Sequence, residues 1–346
     1  MDKLPKTMKA VAVTQYGGKL TVIDAPVPFP ASNEVLVHVR ASGLCSTDTH
    51  LLNGRQPLGN LPRILGHEIA GDIVELGSNV NDWQVNDRVT VAVDVTCGIC
   101  RFCLTGQTQL CMRKKRIGFE LNGGHSEYVA VPCTNLVHIS EGISYEQAAI
   151  LPDAVACTYH CIIGQGKLAL GQIIVILGVG GLGIHGVQIA ARAGAKVIAT
   201  SRRPERLKIA EKYGAIPVNT NTQSLEEVVH DLTGGEGVDI VMDNIGNNAS
   251  IAEGLKILRP GGKFLVVAYL EDTFHIPSIP LFSKEFELIG CRGSTRKDLV
   301  DVVRHVENGI IEPVIGAHFN LEEIDKAVEC LENSQMIGRI VLTRKY

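Results

Sequence analysis

The chain has no uninterrupted apolar run approaching the ~18 residues that a membrane span requires, so no spanning helix is expected. Aromatic residues make up only 5%, and Trp83 is the single tryptophan. Charge of neither sign dominates, because 33 Lys and Arg stand against 37 Asp and Glu and leave a net charge of −4. Without a basic patch, nucleic acid and membrane surfaces are poor partners, and a small molecule is favoured. The opening Met1-Asp2-Lys3-Leu4-Pro5 has neither an apolar core nor a cleavage site. An unexported, cytoplasmic protein is therefore expected. Internal repeats and low-complexity linkers are also missing, so the parts should be joined by structure rather than by a tether.

A chain of 346 residues is long enough for two domains with substantial cores. From Met8 to about Val131, short alternating apolar segments are broken by Gly, Pro and Asn, as in Lys9–Val13, Glu34–Val39 and Arg88–Val93. That pattern predicts an antiparallel, barrel-like β domain. From about Gln172 to Gly293 the strands are apolar throughout and alternate with helical segments: Ile173–Leu177, Lys196–Thr200, Val238–Met242, Lys263–Val267 and Glu287–Gly290. Strands covered by helices on both faces read this way, which predicts a parallel sheet of βαβ units and an α/β chain overall. The tail, with helical Arg296–Asn308 and Leu321–Asn333 before Arg339–Leu342, is expected to return to the first domain. The boundaries that follow are 1–154, 155–295 and 296–346, with a cysteine lobe at 94–114.

Ten cysteines in a chain of this kind favour metal thiolates over disulfides, and four of them lie close together. Cys97, Cys100 and Cys103, followed after seven residues by Cys111, suit a single tetrahedral ion. The bacterial ferredoxin run places its fourth cysteine differently, and a closed four-thiolate zinc site would staple the lobe without reacting. Cys133, Cys161, Cys291 and Cys330 read as buried small hydrophobes.

Ile173–Leu177 runs directly into Gly178-Val179-Gly180-Gly181-Leu182-Gly183, and Ile184–Ala193 is helical in character. Strand before and helix after make this a dinucleotide fingerprint, whose glycines let backbone amides approach a pyrophosphate. The next strand ends at Ser201-Arg202-Arg203, where an NAD enzyme usually carries an acid. A hydroxyl and two guanidinium groups suit a 2′-phosphate instead, so NADP(H) is favoured over NAD(H). Ile245 and Gly246, beyond the fourth strand of the sheet, are candidates for cofactor contact.

Cys45 in Leu44–Asp48 and His67 and Glu68 in Gly66–Glu68 could be ordinary core and surface residues when taken singly. Together with the four-cysteine loop and the glycine fingerprint, they make the chain resemble the zinc-containing medium-chain alcohol dehydrogenases over almost its whole length. The resemblance implies a GroES-like catalytic domain beside a Rossmann cofactor domain, two zinc ions per chain, and dimers or tetramers. It implies a catalytic zinc on Cys45, His67 and a third ligand from the segment after Ala148-Ala149. Family register puts Asp153 in that place, although Cys157 could face the same way on a helix. It further implies that Thr47 contacts the substrate oxygen and that His50 relays a proton to solvent. Glu68 would stand near the metal, and Asp48 would orient His67. Arg296 and Arg339 fall where members often place cofactor-facing basic residues, but solvent exposure is equally open. The implied activity is reversible hydride transfer between an alcohol or carbonyl substrate and the nicotinamide, with a polyol or amino alcohol as the alternative. A dinucleotide-binding protein holding only the stapling zinc is the alternative from another class.

Overall fold

The computed structural model describes residues 4–268, 273–334 and 336–344. The chain divides into two compact units. One comprises Met1–Ala156, Gly293–Gly309 and Pro313–Tyr346, and the other Cys157–Arg292 and Ile310–Glu312.

The first unit is built around the long strand Glu34–Leu44, which pairs antiparallel with Glu68–Leu76, Tyr128–Pro132 and Arg339–Thr343. Its sheet runs in the order Leu136–His138, Arg88–Val91, Glu68–Leu76, Glu34–Leu44, Arg339–Thr343, Ile315–Asn320. A smaller sheet joins Leu20–Pro26, Thr7–Val13 and Arg63–Ile64. Alternation along these strands sends Val35, Val37, Ile69, Ile73, Val89 and Val131 into one core. Leu44, Leu51, Leu65 and Ile340 fill a second. The tail adds one parallel pair to this otherwise antiparallel sheet. Ile315–Asn320 runs parallel to Arg339–Thr343, and the crossover that a parallel pair requires carries the helix Ile324–Glu332.

The second unit is a six-stranded sheet that is parallel at every pairing. Its order is Ala215–Asn219, Lys196–Ser201, Ile173–Leu177, Val238–Asp243, Leu258–Val266, Glu287–Gly290. In chain order this is 3-2-1-4-5-6, the doubly wound arrangement whose ligands bind at the carboxyl ends of the strands. Ile174 through Leu177 are completely buried, which is why that segment reads as one apolar run. The edge strand Ala215–Asn219 escapes a periodicity search, because Pro217 interrupts it as only an edge strand tolerates.

Candidate metal and coenzyme sites

Cys45 is the N-cap of the short helix Ser46–Leu52. Its Sγ accepts from the Thr47 amide at 3.4 Å, while its own amide donates to Asp48 Oδ2 at 2.8 Å. This reciprocal capping arrangement fixes the thiol and the carboxylate relative to one another. His67 enters from the loop before Glu68–Leu76. The preceding Gly66 has φ +92, and a Cβ there would lie 2.5 Å from the His125 backbone nitrogen. Asp153 sits on the π-helical turn Leu151–Val155, of a kind that concentrates at functional sites.

These three residues converge. Cys45 Sγ lies 3.6 Å from Asp153 Oδ2, and His67 Nε2 lies 3.7 Å from the same oxygen. One ligand atom from each lies within 4.8 Å of the other two. Tetrahedral zinc holds thiolate, imidazole and carboxylate atoms about 3.3–3.6 Å apart, so the donor set fits such an ion in both spacing and chemistry. Cys157, the rival third ligand, is a buried thiol of the other unit and is absent from this cluster.

Beneath the cluster lies a layer of buried charge. Glu68 is fully buried, and Gly43 leaves room for it: a Cβ there would fall 1.8 Å from Glu68 Oε2. Arg339 donates to Glu68 through Nε at 2.8 and 3.0 Å and through Nη2 at 2.6 Å, and the same Nη2 reaches Asp153 Oδ2 at 2.5 Å. Arg339 is only 3% exposed. The expectation of a cofactor-facing or solvent-exposed arginine is thus corrected, because its guanidinium is consumed by two carboxylates of its own unit. Arg296, in contrast, is exposed and donates to the Leu136 carbonyl at 3.0 Å.

Asp48 is fully buried between two imidazoles, with Oδ1 3.7 Å from His67 Nδ1 and Oδ2 3.6 Å from His125 Nε2. Burial alone would raise its pKa, but the two histidines hold it well below the usual carboxylate range. Asp153 is lowered in the same way, burial being outweighed by His67 and Arg339. Burial would lower His67, yet Asp153 and Asp48 raise it well above its ordinary value. Two carboxylates flanking one buried imidazole make a pocket whose charge favours a cation. Glu68 behaves oppositely: burial pushes it up to about 7 against the pull of Arg339.

The four thiols form a separate cluster. Sulfur separations are 3.5 Å for Cys100–Cys103, 3.6 Å for Cys97–Cys111 and 4.0 Å for Cys97–Cys103. Thiolates on tetrahedral zinc lie about 3.8 Å apart. All ten cysteines are free, so no disulfide competes for these sulfurs. Cys161 and Cys291 are buried as expected, whereas Cys133 and Cys330 are only partly so.

In the second unit, Gly178 has φ +85, and a Cβ on Gly183 would approach the Gly178 carbonyl oxygen to 2.1 Å. The helix Gly183–Arg192 can therefore start only where its first residue lacks a side chain. A Cβ on Gly180 would meet open space, which leaves its amide approachable. Gly181 and Leu182 complete the turn, both partly exposed. Ser201 ends its strand and accepts from the Arg203 amide at 3.1 Å, while Arg202 and Arg203 are exposed. Asp243 is buried and accepts from the Ile245 amide at 2.8 Å and the Gly246 amide at 3.2 Å, so it shapes the loop beyond the strand. Thr47 and His50 lie on the capped helix, with Thr47 Oγ1 3.4 Å from Cys45 Sγ and His50 half-buried.

Residues 31–141 match the model of the alcohol dehydrogenase GroES-like domain, and residues 181–308 match that of the zinc-binding dehydrogenases. The NAD-dependent alcohol dehydrogenase of Sulfolobus acidocaldarius is 33% identical, with 97% of this chain and 99% of the relative covered. This chain belongs to the zinc-dependent medium-chain dehydrogenase/reductase family. Another relative of this dehydrogenase is the sorbitol dehydrogenase of Halalkalibacterium halodurans, 30% identical over 97% of this chain and 99% of its own. Among solved structures, the alcohol dehydrogenase of Aeropyrum pernix superposes with a TM-score of 0.90 at 30% identity, covering 97% of this chain and 99% of that one. The GroES-like and Rossmann architecture expected from the sequence is that of these relatives. No helix among the described residues is long and apolar enough to cross a membrane. Sequence reasoning did not single out His125; the nearby Gly123 marks a close backbone approach, since a Cβ there would fall 2.2 Å from the Gly66 carbonyl oxygen.

Proposed function

We propose that this dehydrogenase interconverts an alcohol and its carbonyl compound with NADP(H), using a zinc ion held by Cys45, His67 and Asp153. The observation that carries the reading is the convergence of one sulfur, one imidazole nitrogen and one carboxylate oxygen within 4.8 Å. Three protein ligands leave a fourth position open, which distinguishes a reactive zinc site from the closed Cys97, Cys100, Cys103 and Cys111 set. Zinc supplies Lewis acidity toward the substrate oxygen. The nicotinamide coenzyme supplies the acceptor or donor of hydride.

The remaining work belongs to side chains. Thr47, beside Cys45, is assigned to hydrogen-bond the substrate oxygen and to relay its proton, the hydroxyl giving up its own proton toward solvent as it accepts. His50 is assigned to pass that proton to solvent. Burial and the nearby Arg55 lower its pKa, so it is neutral near pH 7 and able to accept. Glu68 stays behind the ligands, tied to Arg339 and to the Ala154 amide at 3.1 Å. Gly178, Gly180, Gly181, Leu182 and Gly183 cradle the pyrophosphate, with Ile245 and Gly246 against the coenzyme from the neighbouring loop. Ser201, Arg202 and Arg203 take the 2′-phosphate, a choice supported by exposed guanidinium groups where an acid would repel it.

The test is steady-state oxidation of primary, secondary, cyclic and polyhydroxy alcohols with NADP and NAD in parallel. The reading expects turnover of at least one simple alcohol class with a clear preference for NADP. Preference for NAD refutes the assignment of Ser201–Arg203, and no turnover by zinc-loaded protein refutes the activity. A polyol substrate on the same residues is the second reading, favoured by the sorbitol dehydrogenase among the relatives. The same panel separates the two. We further propose that the protein is a cytoplasmic homo-oligomer, a dimer or tetramer, with sedimentation as the check.

A further inference from the structure

His125 is fully buried and has no place in the chemistry above, yet it is built into the wall of the metal site. Its Nδ1 lies 2.7 Å from Ser42 Oγ, and its Nε2 faces Asp48 Oδ2 at 3.6 Å. Its backbone is pinned from both sides: its amide donates to the Leu65 carbonyl at 2.9 Å, and its carbonyl accepts from the Val11 amide at 2.7 Å. Its ring presses on Gly66, the residue before His67, where a Cβ would come within 2.5 Å of His125 Nδ1.

Asp48 has one oxygen for each imidazole. Oδ1 faces His67, and Oδ2, which already accepts from the Cys45 amide, faces His125. Nothing else among the described residues bonds to Asp48 Oδ1, His67 Nδ1 or His125 Nε2. The chain of groups therefore reads Ser42, His125, Asp48, His67, with each pair facing only through these atoms. A serine hydroxyl that donates to Nδ1 leaves the proton of neutral imidazole on Nε2, pointing at Asp48. Asp48 so placed sets its Oδ1 3.7 Å from His67 Nδ1, an arrangement that favours the Nδ1–H tautomer and leaves Nε2 as the bare nitrogen that a metal needs.

We propose that His125, held by Ser42, is a positioning residue for the Cys45, His67 and Asp153 site. It fixes the carboxylate that selects the tautomer and angle of His67. The proposal rests on the reading of that site as zinc-binding, and its test separates the two.

Full-length protein is prepared as wild type and as Ser42→Ala, His125→Leu, His125→Gln and Cys45→Ser. Zinc affinity is read by competition with a chromophoric chelator, and the cobalt-substituted protein is read by its visible absorption. The four-cysteine zinc serves as the internal reference for an intact fold. Partners in the outer shell of a metal typically change affinity 10–100-fold, and one further out is expected at about tenfold, so His125→Leu and Ser42→Ala should each weaken the reactive-site metal about tenfold. His125→Gln, whose amide can still donate to Asp48, should recover most of the affinity and the wild-type cobalt band. A purely packing role would leave that band unmoved and give glutamine no advantage over leucine. Ser42→Ala removes one oxygen with little change of volume, so it decides the matter even if His125→Leu fails to fold. Wild-type affinity and an unshifted cobalt band in Ser42→Ala overturn the proposal. A wild type that binds a single zinc, unaffected by Cys45→Ser, overturns the metal-site reading itself and the proposal with it.

Discussion

Arg339 shows how much rests on one side chain. It donates to the fully buried Glu68 through two nitrogens, and it also holds Asp153. Removing one member of a buried ion pair strands the other, at a cost of about 3–5 kcal/mol. Arg339→Met is therefore expected to lower the unfolding free energy by about that amount in urea titration. Adding Glu68→Leu should recover part of the loss, because the pair is then replaced by apolar atoms. The opposite pattern, with the double variant worse than the single one, would mean that Glu68 has a second essential partner. On the coenzyme side, a hydrogen bond to a charged group contributes about 1.5–3 kcal/mol, so Arg203→Ala should raise KM for NADP about tenfold or more. Its KM for NAD should stay the same, and parallel kinetics check both.

At the scale of elements, glycines decide where strands and helices can approach. Gly183 allows the first turn of Gly183–Arg192 to lie on the Gly178 carbonyl, and the 2.1 Å contact that a Cβ would make involves backbone and not a movable side-chain tip. Gly183→Ala is expected to weaken coenzyme binding at least tenfold, since the loop must shift to admit it; fluorescence titration with NADPH measures this. Gly43 performs the corresponding task in Glu34–Leu44, where the obstacle is the Glu68 carboxylate at 1.8 Å. Gly43→Ala should therefore reduce metal retention at the Cys45 site and spare the four-cysteine zinc, as read by metal analysis after dialysis. The central strand of the second unit was legible in the sequence because near-complete burial erases alternation, and Ile173–Leu177 has the bounds its apolar run suggests. Ala215–Asn219 was not legible, since a short edge strand holding a proline carries neither signal.

For the whole molecule, the two candidate metal clusters are expected to make separable contributions. Chelation of wild-type protein is expected to release two zinc ions per chain in two phases. The three-ligand site should empty first, because its fourth position is open to a competing ligand, and the closed four-thiolate site should follow. Cys103→Ser should abolish the slow phase alone, and a single phase with one zinc would contradict the assignment. Losing the slow zinc should also lower Tm, because a closed structural site contributes folding free energy directly.

The sequence by itself determined the parts whose information is local. The four-cysteine spacing, the strand, glycine turn and helix of the fingerprint, and the Cys45–Asp48 capping segment each lie within about one turn or one loop of chain, so that residue order dictates neighbours. Tertiary structure alone decided what meets across distance. Arg339 reaches Glu68 across 271 residues because Arg339–Thr343 pairs with Glu34–Leu44. His125 reaches Ser42 across 83 for a similar reason, its loop being pinned to Val11 and Leu65. Such meetings are set by strand register and by the exclusion of water from a shared core, neither of which leaves a mark on the short-range pattern of residues.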